Sequence, residues 1–470
     1  MVVLAYLALF GVPLLAALYV LANRASARSV ATAIVAGWLA MPLLRLEIGG
    51  LPEIDKESLL GSAVLIATLV GRLGESHVRL RWFDLPMLAY CSSPMLASLD
   101  NDLGARDGLS QMLRTSLMFG SPWFVGRFAI ADARDMVEAG RAVLLGAVCY
   151  SPLCLLEARL APQLHEWLFG MPGRTGWETV DFYGPLRWKA SVFLQSPLEL
   201  TPLMGVGFLF GWWMWRRMRV RSRFGIAMPL LVGAALFACL MGKSLGGIGL
   251  TVVAAISLWL TRLAGTRLFL AAFMAVGPAY IAIRASGLWD GMSFVEFLQE
   301  NVSERRAESF LTRVDNENRL VVKALERPLF GWGGWGRNRV YDEEGRDITI
   351  TDGFWIIVLG TSGWYGLGSW LLAMLLPVVW TWWRHWHVML RSRGDEAILL
   401  CAIVVPIIHV IDCVPNAMPS PVYYVVAGGL ATAASRRLLV AATTVASPAV
   451  VRESPLRWLT PRHRPTAPSS

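Results

Sequence analysis

Charge is scarce in this chain. Asp, Glu, Lys and Arg supply only 16% of its 470 residues, against 55% hydrophobic, and apolar runs recur along most of the length. A soluble protein cannot hide so many runs in one core. Paired cysteines are also lacking. Cys91, Cys149, Cys154, Cys239, Cys401 and Cys413 lie in or at the ends of apolar runs with no metal-like spacing. They read as small buried hydrophobes, not as a disulfide framework or a zinc site. There is no Walker loop, dinucleotide fingerprint, HExxH or Ser/His/Asp elbow, so ATP-driven and metalloprotease chemistry have no support. No internal repeat is visible, and the two halves differ in loop length, which counts against the inverted repeats of many transporters. The net charge of +9 does not point to nucleic acid, because the basic residues fall in short clusters between apolar runs, as the positive-inside rule requires.

What is present is a succession of runs of about 17–25 apolar residues, the length a bilayer demands. The sequence predicts an all-α, polytopic integral membrane protein with about 11–13 transmembrane helices, the count blurred by Pro- and Gly-broken runs. The expected spans are 1–21, 29–44, 58–70, 82–99, 113–130, 142–156, 198–215, 224–241, 245–260, 268–283, 353–380, 397–411 and 423–439. Residues 1–21 lack a basic start and a small-residue cleavage site, so they read as a retained span. Arg-rich turns at 24–28, 72–81, 134–141, 216–223, 262–267 and 384–393 alternate to one side, taken as cytoplasmic. Two inserts, 157–196 and 284–352, then fall on the other side, the larger one just before the third-last span. Residues 1–446 form the membrane domain, and the Pro-, Arg- and Ser-rich 447–470 reads as a disordered cytoplasmic tail.

The polar residues that could carry chemistry gather on those inserts. Asp352 immediately precedes an apolar helix. Its carboxylate can cap that helix or serve as a general base at the water–membrane boundary, and the two roles are compatible. Arg187, Lys243, Arg284, Arg313 and Arg319 are cations on the side the positive-inside rule leaves poor in them. Guanidinium groups suit phosphate or pyrophosphate, although local acids such as Glu304, Glu308, Asp315 and Glu317 are equally available partners. Lys243 sits in a tight apolar turn without an acid. Trp332 and Trp335 in GWGGWG can stack on sugar rings or sit in the aromatic interface belt. His165 lies alone on an insert, His385 and His387 belong to a basic turn and are expected to be solvated, and His409 with Asp412 forms an intramembrane pair that can simply satisfy itself.

The order of these elements resembles a known family. Arg327–Gly333 (RPLFGWG), a polar segment, then Asp352-Gly353, nine residues and Gly363-Trp-Tyr-Gly366 are similar to the C-terminal signature of the O-antigen ligase and O-antigen polymerase superfamily. Gly242–Gly247 resembles that family's Ser-Arg-Gly turn, and Arg187 its arginine on the earlier external loop. The ligases have a histidine where this chain has Asp352, so the resemblance leans to the polymerase and exopolysaccharide-assembly branch. It implies a GT-C-like membrane fold in the bacterial inner membrane and an inverting glycosyl transfer on its outer face. The donor would be a glycan on undecaprenyl pyrophosphate, the acceptor a sugar hydroxyl on a glycan or lipid. No metal and no cofactor is implied, and envelope polysaccharide-assembly proteins become possible partners. On this reading Asp352 is the base, and Arg187, Lys243, Arg313 and Arg319 contact the pyrophosphate while Trp332 and Trp335 contact sugar. Two other classes compete: a secondary transporter or lipid-linked glycan flippase, and a non-catalytic subunit of an assembly complex.

Overall fold

The computed structural model describes residues 1–48, 52–73, 80–161, 163–173, 186–301, 304–334 and 336–435. Trp335, His77, Arg79, Arg174, Asp181, Tyr183 and the expected tail 447–470 lie outside the described residues.

The chain is mostly helical. Its first half holds α1 (Val2–Ala22), α2 (Ala27–Ala40), α3 (Lys56–Gly71), α4 (Leu85–Asp100), α5 (Ala105–Thr115), α6 (Ser121–Ala129), α7 (Ala133–Leu160), α8 (Leu164–Phe169) and α9 (Pro197–Arg216). The second half holds α10 (Met228–Met241), α11 (Leu245–Ala264), α12 (Leu268–Ala285), α13 (Met292–Asn301), α14 (Glu304–Leu325), α15 (Phe354–Arg391), α16 (Ile398–Asp412) and α17 (Pro421–Ser435). Helical residues stand within every expected span, although 113–130 is met by the end of α5, a π turn at Ser116–Gly120 and α6, and 436–439 of the last span lies outside the described residues. Among the described residues five helices, α1, α7, α11, α12 and α15, are long and apolar enough to cross a membrane, and α2, α10 and Pro421–Ala433 are shorter apolar helices.

Local chemistry starts these helices where the polar stretches end. Asp55 and Ser58 form a reciprocal capping box ahead of α3, and Asp132, Ser196 and Ser244 each accept an amide at the starts of α7, α9 and α11. Each cap satisfies a donor that hydrocarbon would leave bare. The core is aromatic: Trp38, Trp123, Trp355, Trp370, Tyr423 and Tyr424 are fully buried. The backbones of α6 and α17 approach closely. A Cβ on Gly126 would lie 1.9 Å from the carbonyl oxygen of Val425, and one on Gly428 would lie 1.9 Å from that of Trp123. The two backbones touch, and only glycine permits it.

Side-chain bridges sort the connections to two ends. At one end Arg217 donates to the Leu390 carbonyl at 2.6 Å, Arg134 faces Asp395 at 3.7 Å, and Arg72 donates to the Ala25 and Phe128 carbonyls. These are the Arg-rich turns. At the other end Lys56 donates to the Phe193 carbonyl at 3.0 Å, and Arg114 pairs with Glu53 at 2.8 Å. Arg337 faces Asp107 at 3.4 Å. The described parts of both inserts therefore share the end opposite the Arg-rich turns, joined through residues 53–56 and 105–114.

Candidate functional site

At that second end a cleft of about 240 Å³ opens between α14 and the start of α15, closed by the top of α12 and the turn at Val414 and Pro415. Its polar lining is Tyr280, Arg313, Glu317 and Asp352. Arg313 and Glu317 are four residues apart on α14 and so share one helix face. Arg319 is not on that face. It pairs with Asp315 at 2.9 Å instead, half-exposed, the local ion pair that the acids of this insert made available.

Asp352 is placed from both sides. The Asn316 side chain accepts the Ile350 amide at 2.8 Å, pinning the strand-like approach against α14. On the far side, Phe354 N–H donates to the Asn416 carbonyl and Trp355 N–H to that of Cys413. Gly353 has to be glycine there, since a Cβ would meet the Val414 carbonyl oxygen at 2.2 Å. The N-cap of α15 is Gly353, with no side-chain cap. Asp352 thus does not cap the helix, because the 413–416 turn already takes the first amides. Its carboxylate faces Arg313 at 3.6 Å, both groups being a little under half exposed. A pair that open to solvent is weak, worth at most about 1 kcal/mol, and separates readily for a ligand.

Beneath it lies a rigid floor. Glu317 accepts hydrogen bonds from the Tyr280 hydroxyl at 2.7 Å, Arg284 Nε at 2.9 Å and Trp355 Nε1 at 2.9 Å. Arg284 is buried and also donates to the Trp289 carbonyl at 2.9 Å, and its Nη2 has no hydrogen-bond partner among the described residues. A buried charge pair of this kind fixes geometry more surely than it adds stability. It ties α12, α14 and α15 to one another directly below Arg313 and Asp352.

The glycine-rich segment after α14 has a different task. Gly363 adopts φ 60°, ψ −164° and breaks α15, a backbone region that belongs to glycine. The break frees two amides and two carbonyls, and the loop takes all four. Trp364 and Tyr365 donate to the Pro328 and Leu329 carbonyls at 2.8 and 3.1 Å, while Trp332 and Gly333 donate to the Gly360 and Thr361 carbonyls at 2.8 and 3.0 Å. The segments RPLFGWG and GWYG are two halves of one backbone joint. Trp332 serves it: the indole N–H donates to the Lys323 carbonyl at 2.7 Å, and Lys323 Nζ lies 3.6 Å from the ring centroid.

Other candidates go elsewhere. Lys243 adopts φ 52° and its Nζ donates to the Leu186 carbonyl; burial, then the charge of Lys189, pulls its pKa below the usual lysine value. The Arg187 guanidinium lies 5.5 Å from the Trp188 ring centroid. Neither residue lines the Asp352 cleft. His385, expected in solvent, is buried and contacts the Ala433 carbonyl at 3.1 Å, because the end of α15 packs against α17. His409 and Asp412 take separate partners: His409 stacks on Tyr423 with centroids 4.4 Å apart, and Asp412 accepts from Asn416 at 2.9 Å. Tyr280 escaped sequence reasoning because nothing links it to residue 317 in the chain, and Glu317 was visible only as one acid among several. The i,i+4 spacing to Arg313 is the one signal that could have singled Glu317 out. No group of three or more His, Cys, Asp or Glu with metal-binding proximity occurs among the described residues.

No family model matches the chain, and no curated protein matches it significantly.

Proposed function

We propose that the protein is a multi-pass glycosyltransferase of the bacterial inner membrane. It would move glycan from an undecaprenyl-pyrophosphate donor to an acceptor sugar hydroxyl, as a polysaccharide polymerase or ligase. The observation that carries this reading is the uncapped carboxylate of Asp352 facing Arg313 in a cleft at one end of an apolar helical bundle. An acid and a cation side by side match the two needs of the reaction. Asp352 accepts the proton from the attacking hydroxyl as the new glycosidic bond forms and the bond to pyrophosphate breaks. Arg313 stabilises the charge that develops on the departing phosphate. The floor around Glu317 keeps both in register. Arg187, Lys243, Arg319, Trp332 and Trp335 take part only where the donor or acceptor extends beyond this cleft. About 11–13 crossings, an outward-facing cleft and a GT-C-like arrangement belong to the same proposal. The pairing of Asp352 with Arg313 at a bundle end supports this reading over a transporter, which would carry its polar groups at mid-membrane on broken helices.

The test is complementation. In a strain lacking the gene, Asp352→Asn and Arg313→Ala are expected to leave surface glycan absent while the protein remains in the membrane. Full glycan restored by Asp352→Asn sinks the proposal. The deletion strain itself separates the two activities: single repeats indicate a missing polymerase, full-length chains stranded on lipid carrier a missing ligase.

A further inference from the structure

The insert between α12 and α15 reads from sequence as a polar segment in water, yet its first helix presents aromatic rings to the outside. On α13 Phe294 is 41% exposed and Phe297 52% exposed, and the two rings stack with centroids 6.0 Å apart. Three residues apart, they share one face. Among the described side chains of the helix, Val295 turns inward, joining Ala307 and Val314 of α14. The helix carries Glu296 and Glu300 and no basic residue, so phosphate or nucleic acid has no cation to meet on it.

The connection to α12 decides what covers the rings. α12 is one of the membrane-length helices, and Val276 and Ile283 on it are exposed. Its last turn holds the chain that follows: Arg284 donates to the Trp289 carbonyl, and Trp289 Nε1 donates to Ser293 Oγ at 2.9 Å in the first turn of α13. Leu288, in the connecting turn, is 81% exposed. α13 is thereby held at the end of a lipid-facing span, where the adjoining apolar phase is the bilayer itself.

We infer that α13 is an interfacial helix, with Phe294 and Phe297 seated among the acyl chains of the adjoining leaflet. Helices of this kind sit about 5–10 Å below the headgroup boundary. Phe294 also packs edge-on against Phe310, with centroids 5.0 Å apart, and Phe310 lines the cleft that holds Arg313 and Asp352. The cleft mouth consequently opens at headgroup depth, with a hydrocarbon-facing lip. This placement does not depend on the proposed reaction.

The test uses the full-length protein in nanodiscs of zwitterionic and anionic phosphatidyl lipids. Cys149, the exposed cysteine among the six, is replaced (Cys149→Ser), and a thiol-reactive fluorophore is attached at Phe297→Cys or, on the opposite face, at Gln299→Cys. Lipid carrying a nitroxide near the headgroup is expected to quench the dye at 297 at least about twofold more than the dye at 299, with aqueous iodide giving the reverse order. Phe294→Cys, read the same way, covers a misfolded 297 variant. Equal iodide access at 297 and 299 overturns the inference. So does a dye at 297 shielded from both quenchers, which would place a second protein surface over the rings.

Discussion

Replacing Gly363 by alanine tests the joint between the glycine-rich loop and α15. At φ 60°, ψ −164° a Cβ is strained by about 1–3 kcal/mol. It would also stand 2.3 Å from the Leu329 carbonyl oxygen and 2.4 Å from that carbonyl carbon, both backbone atoms that cannot swing aside. If the loop retreats, the amides of Trp364 and Tyr365 lose their acceptors at Pro328 and Leu329, at about 1 kcal/mol each. Together these give a loss of about 3–5 kcal/mol. The control is Gly368→Ala, five residues on in the same helix, where a Cβ meets nothing within 4 Å and alanine is the better helix former by about 0.5–1 kcal/mol. Thermal unfolding of each purified variant in detergent, followed by tryptophan fluorescence, should show a large fall for Gly363→Ala and none for Gly368→Ala. Midpoints that agree within error would refute the account of the joint.

Two further outcomes follow from geometry. Trp332→Ala removes the bond to Lys323 and the ring beneath its ammonium, so the unfolding midpoint should drop by about 1–2 kcal/mol equivalent while glycan per folded molecule holds; unchanged stability with lost glycan would instead make Trp332 a sugar contact. His165 is buried, with Nε2 accepting the Leu43 amide at 3.0 Å and the other nitrogen bonded to the Met171 carbonyl. Burial depresses its pKa, against the Met171 bond, and the charge of Lys56 lowers it further. The unfolded imidazole protonates first on acidification, so this stability is intact above about pH 6.5 and declines below it, by less than about 1.4 kcal/mol per pH unit after solvent screening. Unfolding midpoints between about pH 7.5 and pH 5.5 should fall more steeply for the wild type than for His165→Gln, and equal slopes would exclude His165 as the cause.

The bundle was legible because hydrocarbon leaves the backbone one local solution, and apolar run length reports it directly. Asp352 was legible for a related reason, standing where the polar insert meets an apolar run. Its partner was not: five cations offered themselves, and only the faces of α14 separate Arg313 from Arg319. The Glu317 floor joins three helices far apart in sequence, which no spacing encodes. GWYG read as uninterrupted helix because four such residues give no hint of a ψ near −164°. Only the loop that occupies the break explains the glycines on both sides of it.

The contact between α6 and α17 bears on how the protein is made. Gly126 is brought against Val425 and Gly428 against Trp123 although some three hundred residues of chain separate the two helices. In synthesis α6 is made well before α17, the helix that packs against it. A chain stopped before Pro421 lacks the helix whose backbone fills the seam beside Gly126.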